Sequence, residues 1–195
     1  MNYLAHFCLS GQDEEIIIGN YIGDSLKGIS MHSFPKKIQN GIQLHRFIDD
    51  FTDHHQEFIS SKKIFSKTFD KYSGALTDIF FDHFLAKHFN NFYAGDLQNF
   101  ANACYKIVKN HFEILPQRAK DFFGYMQENN ILFNYSNTKT IEKVLVGMTY
   151  RIQHVVNLQD AFPSFMSNYN CIENHFLAFY PNIQNACNDF LTNKK

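Results

Sequence analysis

The chain has 195 residues, of which 45% are hydrophobic and 19% charged, a composition that indicates one folded domain and excludes a disordered chain. Its net charge of −1 provides no bulk attraction for nucleic acid or anionic lipid, and no apolar run reaches the length of a membrane span. Four scattered cysteines without a CxxC pair favour a reducing compartment, so we expect a cytoplasmic protein.

Helical patterns follow one another along the chain, and sustained strand-like alternation is missing. Few Gly and Pro and many Phe favour long helices. Helices are predicted over residues 13–28, 33–53, 55–72, 73–92, 96–114, 116–130, 138–158 and 163–183. The sequence therefore predicts an all-α fold, a single compact bundle of about seven or eight helices spanning residues 1–195.

The stretch "GIQLHRFIDDFTDHH" places polar residues on an apolar helix stripe. Ile38, Ile42, His45 and Asp49 follow one another at spacings of four and three, so His45 and Asp49 continue the apolar stripe one turn apart. An imidazole and a carboxylate so placed can offer nitrogen and oxygen to one divalent cation. A buried His–Asp hydrogen bond, or an exposed polar face, is the structural alternative.

The segment "TDIFFDHFLA" repeats this theme on another helix. Asp82 and His83 stand between pairs of large apolar residues, where an unpaired carboxylate is strongly disfavoured. We expect a cation, an imidazole or a metal beside Asp82, and an ion pair with Arg46 or a lysine is the non-catalytic alternative.

The segment "GNYIGDSLKG" is a third contributor, with Asn20 and Asp24 one turn apart. Gly19 and Gly23 precede them, and two glycines within a helix predict that something packs closely there, either a neighbouring helix or a phosphate or metal. His6 in "LAHF" is a weaker candidate, since an isolated histidine is more often part of a core.

Taken together, three helices within the first 83 residues offer inward-facing Asp or His–Asp units. Nitrogen and oxygen ligands without thiolates suit Mn²⁺, Mg²⁺ or Fe²⁺, and such a centre can activate water for attack on phosphorus. The sequence contains no GxGxxG, GxxxxGK[ST] or GxSxG motif, which disfavours those nucleotide sites and a serine hydrolase elbow.

The motifs "MNYLAH", "GNYIGDSLKG", "GIQLHRFIDDFTD" and "DIFFDHFLAKHF" resemble the acyl carrier protein phosphodiesterase family. The resemblance implies an HD-domain-like helical fold and an enzyme of fatty acid metabolism, active with Mn²⁺. It further implies hydrolysis of the phosphodiester that links 4′-phosphopantetheine to a serine of holo-acyl carrier protein, a small and strongly acidic partner. The Asp82–His83 order departs from the adjacent His–Asp pair of HD enzymes.

The resemblance also implies roles for individual residues. The implied catalytic residues are Asp24, His45, Asp49 and Asp82, and the implied metal ligands are these four and His83. Asn20, Lys27, Arg46, Lys36 and Lys37 are expected to bind substrate, with Lys62 and Lys63 extending the surface for the acidic carrier. Arg46 is expected to stabilise the departing serine oxygen, and Asp53 or Asp78 to orient a ligand imidazole.

Two other functions fit the same residues. The site could act on another phosphoester, such as a nucleotide or a free pantetheine compound. Alternatively, the chain is a non-enzymatic helical protein that binds an acidic partner, with its His and Asp serving as buried polar pairs. A membrane-surface helix is excluded because no helix combines a basic face with a wholly apolar one. The oligomeric state is left open.

Overall fold

The computed structural model describes residues 1–152 and 156–194, and within these ranges the chain forms helices and no strand. Their bounds are α1 Tyr3–Cys8, α2 Glu14–Ile22, α3 Lys36–His54, α4 Gln56–Phe69, α5 Ser73–Lys87, α6 Phe89–Phe92, α7 Leu97–Asn110, α8 Gln117–Glu128, α9 Ile131–Asn134, α10 Thr138–Arg151, α11 Ala161–Ser167 and α12 Tyr169–Thr192. The predicted all-α class is confirmed. In these ranges no helix is both long enough and apolar enough to cross a membrane.

Side-chain caps explain where several helices begin. The Asp13 carboxylate accepts hydrogen bonds from the backbone at the start of α2, and Asp96 does the same for α7. Ser33 does not cap α3, because Pro35 occupies the position before the first helical residue. Helix α2 ends at Ile22 and not near residue 28, since residues Gly23–Ser25 tighten into a 3₁₀ turn.

The structure divides some predicted helices and adds two short ones, α1 and α9. The segment 73–92 breaks at His88, and the last long segment breaks at Asn168. The helix predicted over residues 138–158 ends at Arg151, and residues 153–155 lie outside the described part. Helix α1, which the sequence patterns did not predict, carries His6. Its six residues are too few to show a helical period.

Helix α5 runs through the centre of the core. Nearly all of its side chains from Leu76 to Ala86 are buried, and α1, α4 and α12 pack around it. Aromatic rings fill the space between these helices, as where Phe80 stacks on Phe165 with 4.1 Å between ring centroids. This explains the high Phe content and fixes α1 against the bundle.

Helices α2 and α3 make the closest backbone contact near the polar residues. Gly19 of α2 faces Gly41 of α3, and a Cβ on either glycine would collide with backbone atoms of the other helix. One turn further, a Cβ on Gly23 would collide with the ring of His45. The prediction of close packing at Gly19 and Gly23 is confirmed, and the neighbour is a helix with its histidine. This contact places His45 against α2.

Candidate metal centre

Helices α1 and α3 and the turn after α2 bring together four side chains, which we call the His–Asp cluster: His6, Asp24, His45 and Asp49. His45 Nε2 lies 3.2 Å from Asp24 Oδ1 and 3.2 Å from Asp49 Oδ2. His6 Nε2 lies 3.3 Å from Asp49 Oδ1, and the two imidazole rings stack with centroids 4.2 Å apart. His45 and Asp49 therefore face the same space, as their spacing in α3 predicted.

Asn20 fixes the orientation of both imidazoles. His45 Nδ1 lies 2.8 Å from the Asn20 carbonyl oxygen, and His6 Nδ1 lies 2.7 Å from the side-chain oxygen of the same residue. Since both oxygens can only accept, each Nδ1 must carry the donated proton. Asn20 itself is held by bonds from its amide to the His6 carbonyl and Ser10 Oγ. In a neutral imidazole, Nε2 then presents a lone pair, and in His6 that atom faces the Met1 carbonyl oxygen at 3.2 Å as well as a carboxylate.

These lone pairs face carboxylates, an arrangement that needs a positive charge between them. Burial acts to lower the pKa of His45, but the carboxylates of Asp24 and Asp49 outweigh burial and raise this pKa to about 9. Burial and the neighbouring His45 lower the pKa of His6. The Asp24 carboxyl has its pKa lowered, chiefly by His45. A proton on His45 can therefore supply the charge, and a metal cation could take its place.

Three observations indicate that the cluster can hold a divalent cation. His6, His45 and Asp49 each offer a ligand atom, and these atoms lie within 4.8 Å of one another. The contacts of 3.2–3.3 Å match the roughly 3 Å that separates neighbouring ligands bound at about 2.1 Å. Among the described residues, buried His45 Nε2 has no hydrogen-bond partner of acceptable geometry. The donor set of two imidazoles and two carboxylates suits Mn²⁺ or Fe²⁺.

A pocket of about 20 Å³ gives access to the cluster, which is room for one water or a small ion. The side chain of Asp24 is 72% exposed and stands on the open side, whereas both imidazoles are buried. The pocket is lined by Met1, Asn2, Tyr3, His6, Asn20, Tyr21, Asp24 and His45. The cluster is therefore open to solvent at Asp24, beside Tyr3, and also at Asp49, whose side chain is 43% exposed.

Asp82 is not part of the cluster. Its fully buried carboxylate accepts hydrogen bonds from the backbone N–H groups of Asn2 at 3.3 Å, Leu4 at 2.7 Å and Ala5 at 3.3 Å. Its direct partners are these orphan N–H groups at the start of α1, and the Met1 ammonium is the cation that acts on it, in line with the expectation of a cation, an imidazole or a metal beside Asp82. Burial raises the pKa of Asp82 to about 7, although the Met1 ammonium and these N–H groups oppose the rise.

His83 also lies apart from the cluster, with both ring nitrogens engaged by tyrosines. Nδ1 donates to the Tyr135 carbonyl oxygen at 2.7 Å, and Nε2 accepts from the Tyr169 hydroxyl at 2.7 Å. Burial lowers its pKa to about 4, so the ring is neutral at pH 7. The prediction that Asp82 and His83 bind the metal gains no support from these contacts.

The two acids expected to orient an imidazole lie elsewhere. Asp78 forms an ion pair of 2.7 Å with the Met1 ammonium, and the Met1 carbonyl oxygen lies 3.2 Å from His6 Nε2, so Asp78 reaches the cluster only through Met1. Asp53 is exposed at a separate polar cavity of about 500 Å³. This cavity is lined by Asp53, Lys62, Ser66, Asp70, Lys71, Ser73, Gly74, Ala75 and Asp78. Asn20 performs the orienting role that was expected of an acid.

The residues expected to bind substrate are in different environments. Asn20 is 1% exposed and engaged with the histidines, so it lies behind the cluster and not on its open side. Lys27 and Lys36 are exposed, while Lys37 pairs with Asp13 at 2.8 Å. Arg46 is exposed, and its Nη1 lies 3.7 Å from Met31 Sδ. No described contact joins these cations to the cluster.

The sequence patterns ranked His6 as a weaker candidate, whereas the structure places it in the His–Asp cluster. Its signal was an asparagine at position 2 followed by "YLAHFC", in which the Asn2 side chain accepts from the Tyr3 N–H and begins a short helix. That helix aims His6 at α3 only because Asp82 anchors its first turn. The anchoring contact joins residues 78 positions apart, which a local pattern does not reveal.

Comparison with known proteins identifies the family of the chain. A model of the acyl carrier protein phosphodiesterase family matches residues 1–183. Proteins named acyl carrier protein phosphodiesterase are similar to the chain: one from Serratia proteamaculans is 28% identical over 97% of this chain and 98% of its own length. One from Escherichia coli O6:H1 is 30% identical over 93% and 94%, respectively. No solved structure matches. On the extent of these matches, the chain belongs to the acyl carrier protein phosphodiesterase family.

Proposed function

We propose that the chain is a metal-dependent phosphodiesterase that removes 4′-phosphopantetheine from the serine of holo-acyl carrier protein and releases the apo-protein. The observation that carries the proposal is His45 Nε2, a buried nitrogen that faces two carboxylates without a hydrogen-bond partner among the described residues. Protein interiors rarely leave such an atom unmatched, so a ligand is expected there. The names of the relatives supply the substrate.

His6, Asp24, His45 and Asp49 would hold a divalent cation, with Mn²⁺ as the first candidate and Mg²⁺ or Fe²⁺ as alternatives. Such a cation supplies positive charge that lowers the pKa of water and stabilises negative charge on phosphoryl oxygens. This ligand set differs from the sequence prediction. It includes His6, whose Nε2 lies 3.3 Å from Asp49 Oδ1 and would exchange its 3.2 Å contact with the Met1 carbonyl oxygen for the cation. It leaves out Asp82 and His83, because their hydrogen bonds go to other parts of the chain and no described contact joins them to the cluster.

The protein's own contribution is orientation. Asn20 holds both imidazoles through Nδ1 and so directs both Nε2 atoms towards the cluster. His45 Nε2 is available as a ligand, and His6 Nε2 would have to give up its contact with the Met1 carbonyl oxygen. Asp24 is exposed, and His45 keeps its pKa low, so its carboxylate is ionised at neutral pH. It can accept a hydrogen bond from a water entering by the open side and align that water with phosphorus.

The test is conversion of holo- to apo-acyl carrier protein by the purified full chain, followed by mass spectrometry, with and without added Mn²⁺. We expect a Mn²⁺-dependent loss of the phosphopantetheine mass, and at least a hundredfold slower conversion in His45→Ala, since loss of a direct ligand should exceed the roughly 10–100-fold effect of an outer partner. His54→Ala is the matched control. It lies on the same helix with an acid, Asp50, four positions away, but both side chains are more than three-quarters exposed.

Equal activity in wild type and His45→Ala would reject the cluster as the site. Wild type that binds Mn²⁺ but leaves the holo-carrier intact would reject the substrate, and turnover of another phosphoester would then favour the wider phosphohydrolase alternative. A chain that binds the carrier but no metal would favour the non-enzymatic alternative, in which the His–Asp contacts only stabilise the fold.

A further inference from the structure

The open side of the His–Asp cluster is bordered by aromatic rings and two arginines. Tyr3, which lines the pocket with Asp24 and His45, stacks on Phe122 of α8 with 4.4 Å between ring centroids. The guanidinium of Arg151, the last residue of α10, lies over the ring of Phe122, with Cζ 5.5 Å from the ring centroid. A continuous row of contacts thus joins the cluster to a cation on another helix.

Arg118 lies one turn before Phe122 on the same helix. The carbonyl oxygen of its neighbour Ala119 accepts a hydrogen bond of 2.8 Å from the hydroxyl of Tyr21, another residue that lines the pocket. Helix α8 also packs against the turn Gly23–Ser25, which carries Asp24. These contacts hold Arg118 at the border of the pocket.

Neither arginine has an acidic partner within residues 1–152 and 156–194. Ion pairs in these ranges engage Lys37 and Lys87, whereas Arg118 and Arg151 are both exposed and form none. Both guanidinium charges reach Tyr3, where they act to lower the pKa of the hydroxyl against the larger upward effects of burial and of the Asp24 carboxylate. Two exposed cations on the same side of the pocket attract an anionic partner.

We propose that Arg118, Phe122, Tyr125 and Arg151 form a surface, here called the arginine rim, that docks the acidic face of the carrier protein. This rests on the proposed function. The scissile phosphorus is bonded to a carrier serine, so when it reaches the cluster the carrier's own surface must cover the border of the pocket. The rings of Tyr3 and Phe122 stand between Arg151 and the cluster, so Arg151 meets carrier carboxylates and not the phosphate. Tyr125, 46% exposed, adds apolar contact area.

The arginine rim replaces part of the lysine surface predicted from the sequence. Lys36 and Lys37 precede His45 by nine and eight positions in α3, which places them about 12–14 Å away along the helix. The charge of Lys37 is already matched by Asp13. Lys62 is half-buried and lines the separate polar cavity. The arginines are the cations that contacts connect to the open side of the cluster.

The test is charge reversal with two substrates. For Arg118→Glu and Arg151→Glu we expect KM for holo-carrier to rise about tenfold or more, with kcat nearly unchanged and with weaker salt dependence. Hydrolysis of the small diester bis(p-nitrophenyl) phosphate with Mn²⁺ should stay within twofold of wild type. Binding of apo-carrier, measured by calorimetry, should weaken by the same factor as KM rises. Arg118→Lys and Arg151→Lys keep the charge and should retain most of the affinity, and Lys36→Glu is the matched control.

The possible results separate failure of the arginine rim from failure of the proposed function. If wild type converts the holo-carrier and both reversals leave KM unchanged, the arginine rim is wrong while the proposed function stands. If both lysine variants lose as much affinity as the reversals, the arginines act through packing, and the charge-based proposal fails. If Lys36→Glu raises KM as much as Arg118→Glu, docking is diffuse and the specific surface is rejected. If wild type neither converts nor binds the carrier, the proposed function fails as well.

Discussion

Two regions of the molecule contain the same residue types in the same kind of surroundings, with different results. In the His–Asp cluster, imidazole nitrogens and carboxylates face each other at 3.2–3.3 Å, and buried His45 Nε2 lacks a hydrogen-bond partner among the described residues. In α5, Asp82 accepts backbone N–H groups, and His83 has a partner on each ring nitrogen. The second region is complete as folded, and the first is not.

The difference suggests how to choose candidate metal ligands: a buried Asp or His is a good candidate when its protein partners leave a lone pair unmatched. Asp82 is the more buried acid, at 0% exposure, yet its oxygens are saturated by the start of α1. Asp49 is 43% exposed, and its oxygens face two imidazoles. Burial alone would rank Asp82 first as a site residue, whereas matching donors with acceptors ranks Asp49 first.

The isosteric pair Asp49→Asn and Asp82→Asn gives the largest expected contrast between the two regions. Asp49→Asn removes a charged ligand, so we expect Mn²⁺ affinity and holo-carrier conversion to fall at least about a hundredfold. It also removes one of the two carboxylates that keep His45 protonated in the metal-free chain, but an amide can still donate to the imidazole once it is neutral, so we expect a smaller loss of stability than in Asp82→Asn. Asp82→Asn turns an amide NH₂ towards backbone N–H donors, so it should cost about 2–3 kcal/mol of unfolding free energy. Metal content, conversion rate and urea unfolding of both variants measure this.

The reverse pattern would overturn the comparison. Asp82→Asn with normal stability and no bound Mn²⁺ would return Asp82 to the ligand set that the sequence predicted. Because Asp82 anchors the helix that carries His6, a modest fall in metal affinity in this variant is expected. The decisive quantity is therefore the ratio of metal loss to stability loss in the two variants.

The pH dependence of the unfolding free energy tests whether His83 in α5 is held neutral by its contacts. The folded-state pKa of His83 is about 4, below the ordinary value of 6.5, so its contribution to stability is complete above pH 6.5 and is lost as the pH falls through 4. Between pH 7.5 and pH 5 the loss should be about 2 kcal/mol. In His83→Gln, which cannot titrate there, urea unfolding at the two pH values should show a dependence flatter by that amount.

His83→Gln also loses packing, so its stability at a single pH is no test. The change in unfolding free energy between the two pH values removes that constant cost. Identical pH dependence in wild type and variant would mean that His83 takes up a proton in the folded state near its ordinary pKa. The Tyr169 hydroxyl would then not hold the ring neutral, contrary to the contacts seen here.

The local patterns of the sequence predicted the helical class, the main helices and the shared face of His45 and Asp49, because these depend on residues three or four positions apart. They also predicted the tight packing at Gly19 and Gly23. They did not predict what Asp82 bonds to, or that Asn20 would hold both imidazoles. Those facts depend on contacts between helices whose register no local period determines.

His6 and Arg151 illustrate the same limit. His6 lies in a six-residue helix that becomes part of the site only through α5. Arg151 lies on α10, far along the chain, and contacts connect it to the pocket through Phe122 and Tyr3. The lysine pairs were conspicuous because they are adjacent in sequence, yet adjacency in sequence does not place a charge near the site.

The smallest expected effect tests whether packing at Gly23 sets the position of His45. The backbone at Gly23 is helical, with φ −47° and ψ −45°, so alanine is sterically acceptable to the chain itself, but its Cβ would collide with the imidazole ring. We expect Gly23→Ala to lower Mn²⁺ affinity about tenfold by shifting His45 Nε2 away from Asp24 and Asp49, an effect of the size seen for outer partners of a metal ligand. Calorimetric titration with Mn²⁺ measures it.

Gly147→Ala is the matched control for that change, since nothing lies within 4 Å of the Cβ it would add to α10. It should leave Mn²⁺ affinity unchanged and stabilise the chain by up to about 1 kcal/mol through helix propensity. If Gly23→Ala binds Mn²⁺ as tightly as Gly147→Ala, His45 can move without cost. The cluster would then be a flexible group of polar side chains, and the distinction drawn between it and the fully matched residues of α5 would lose its structural basis.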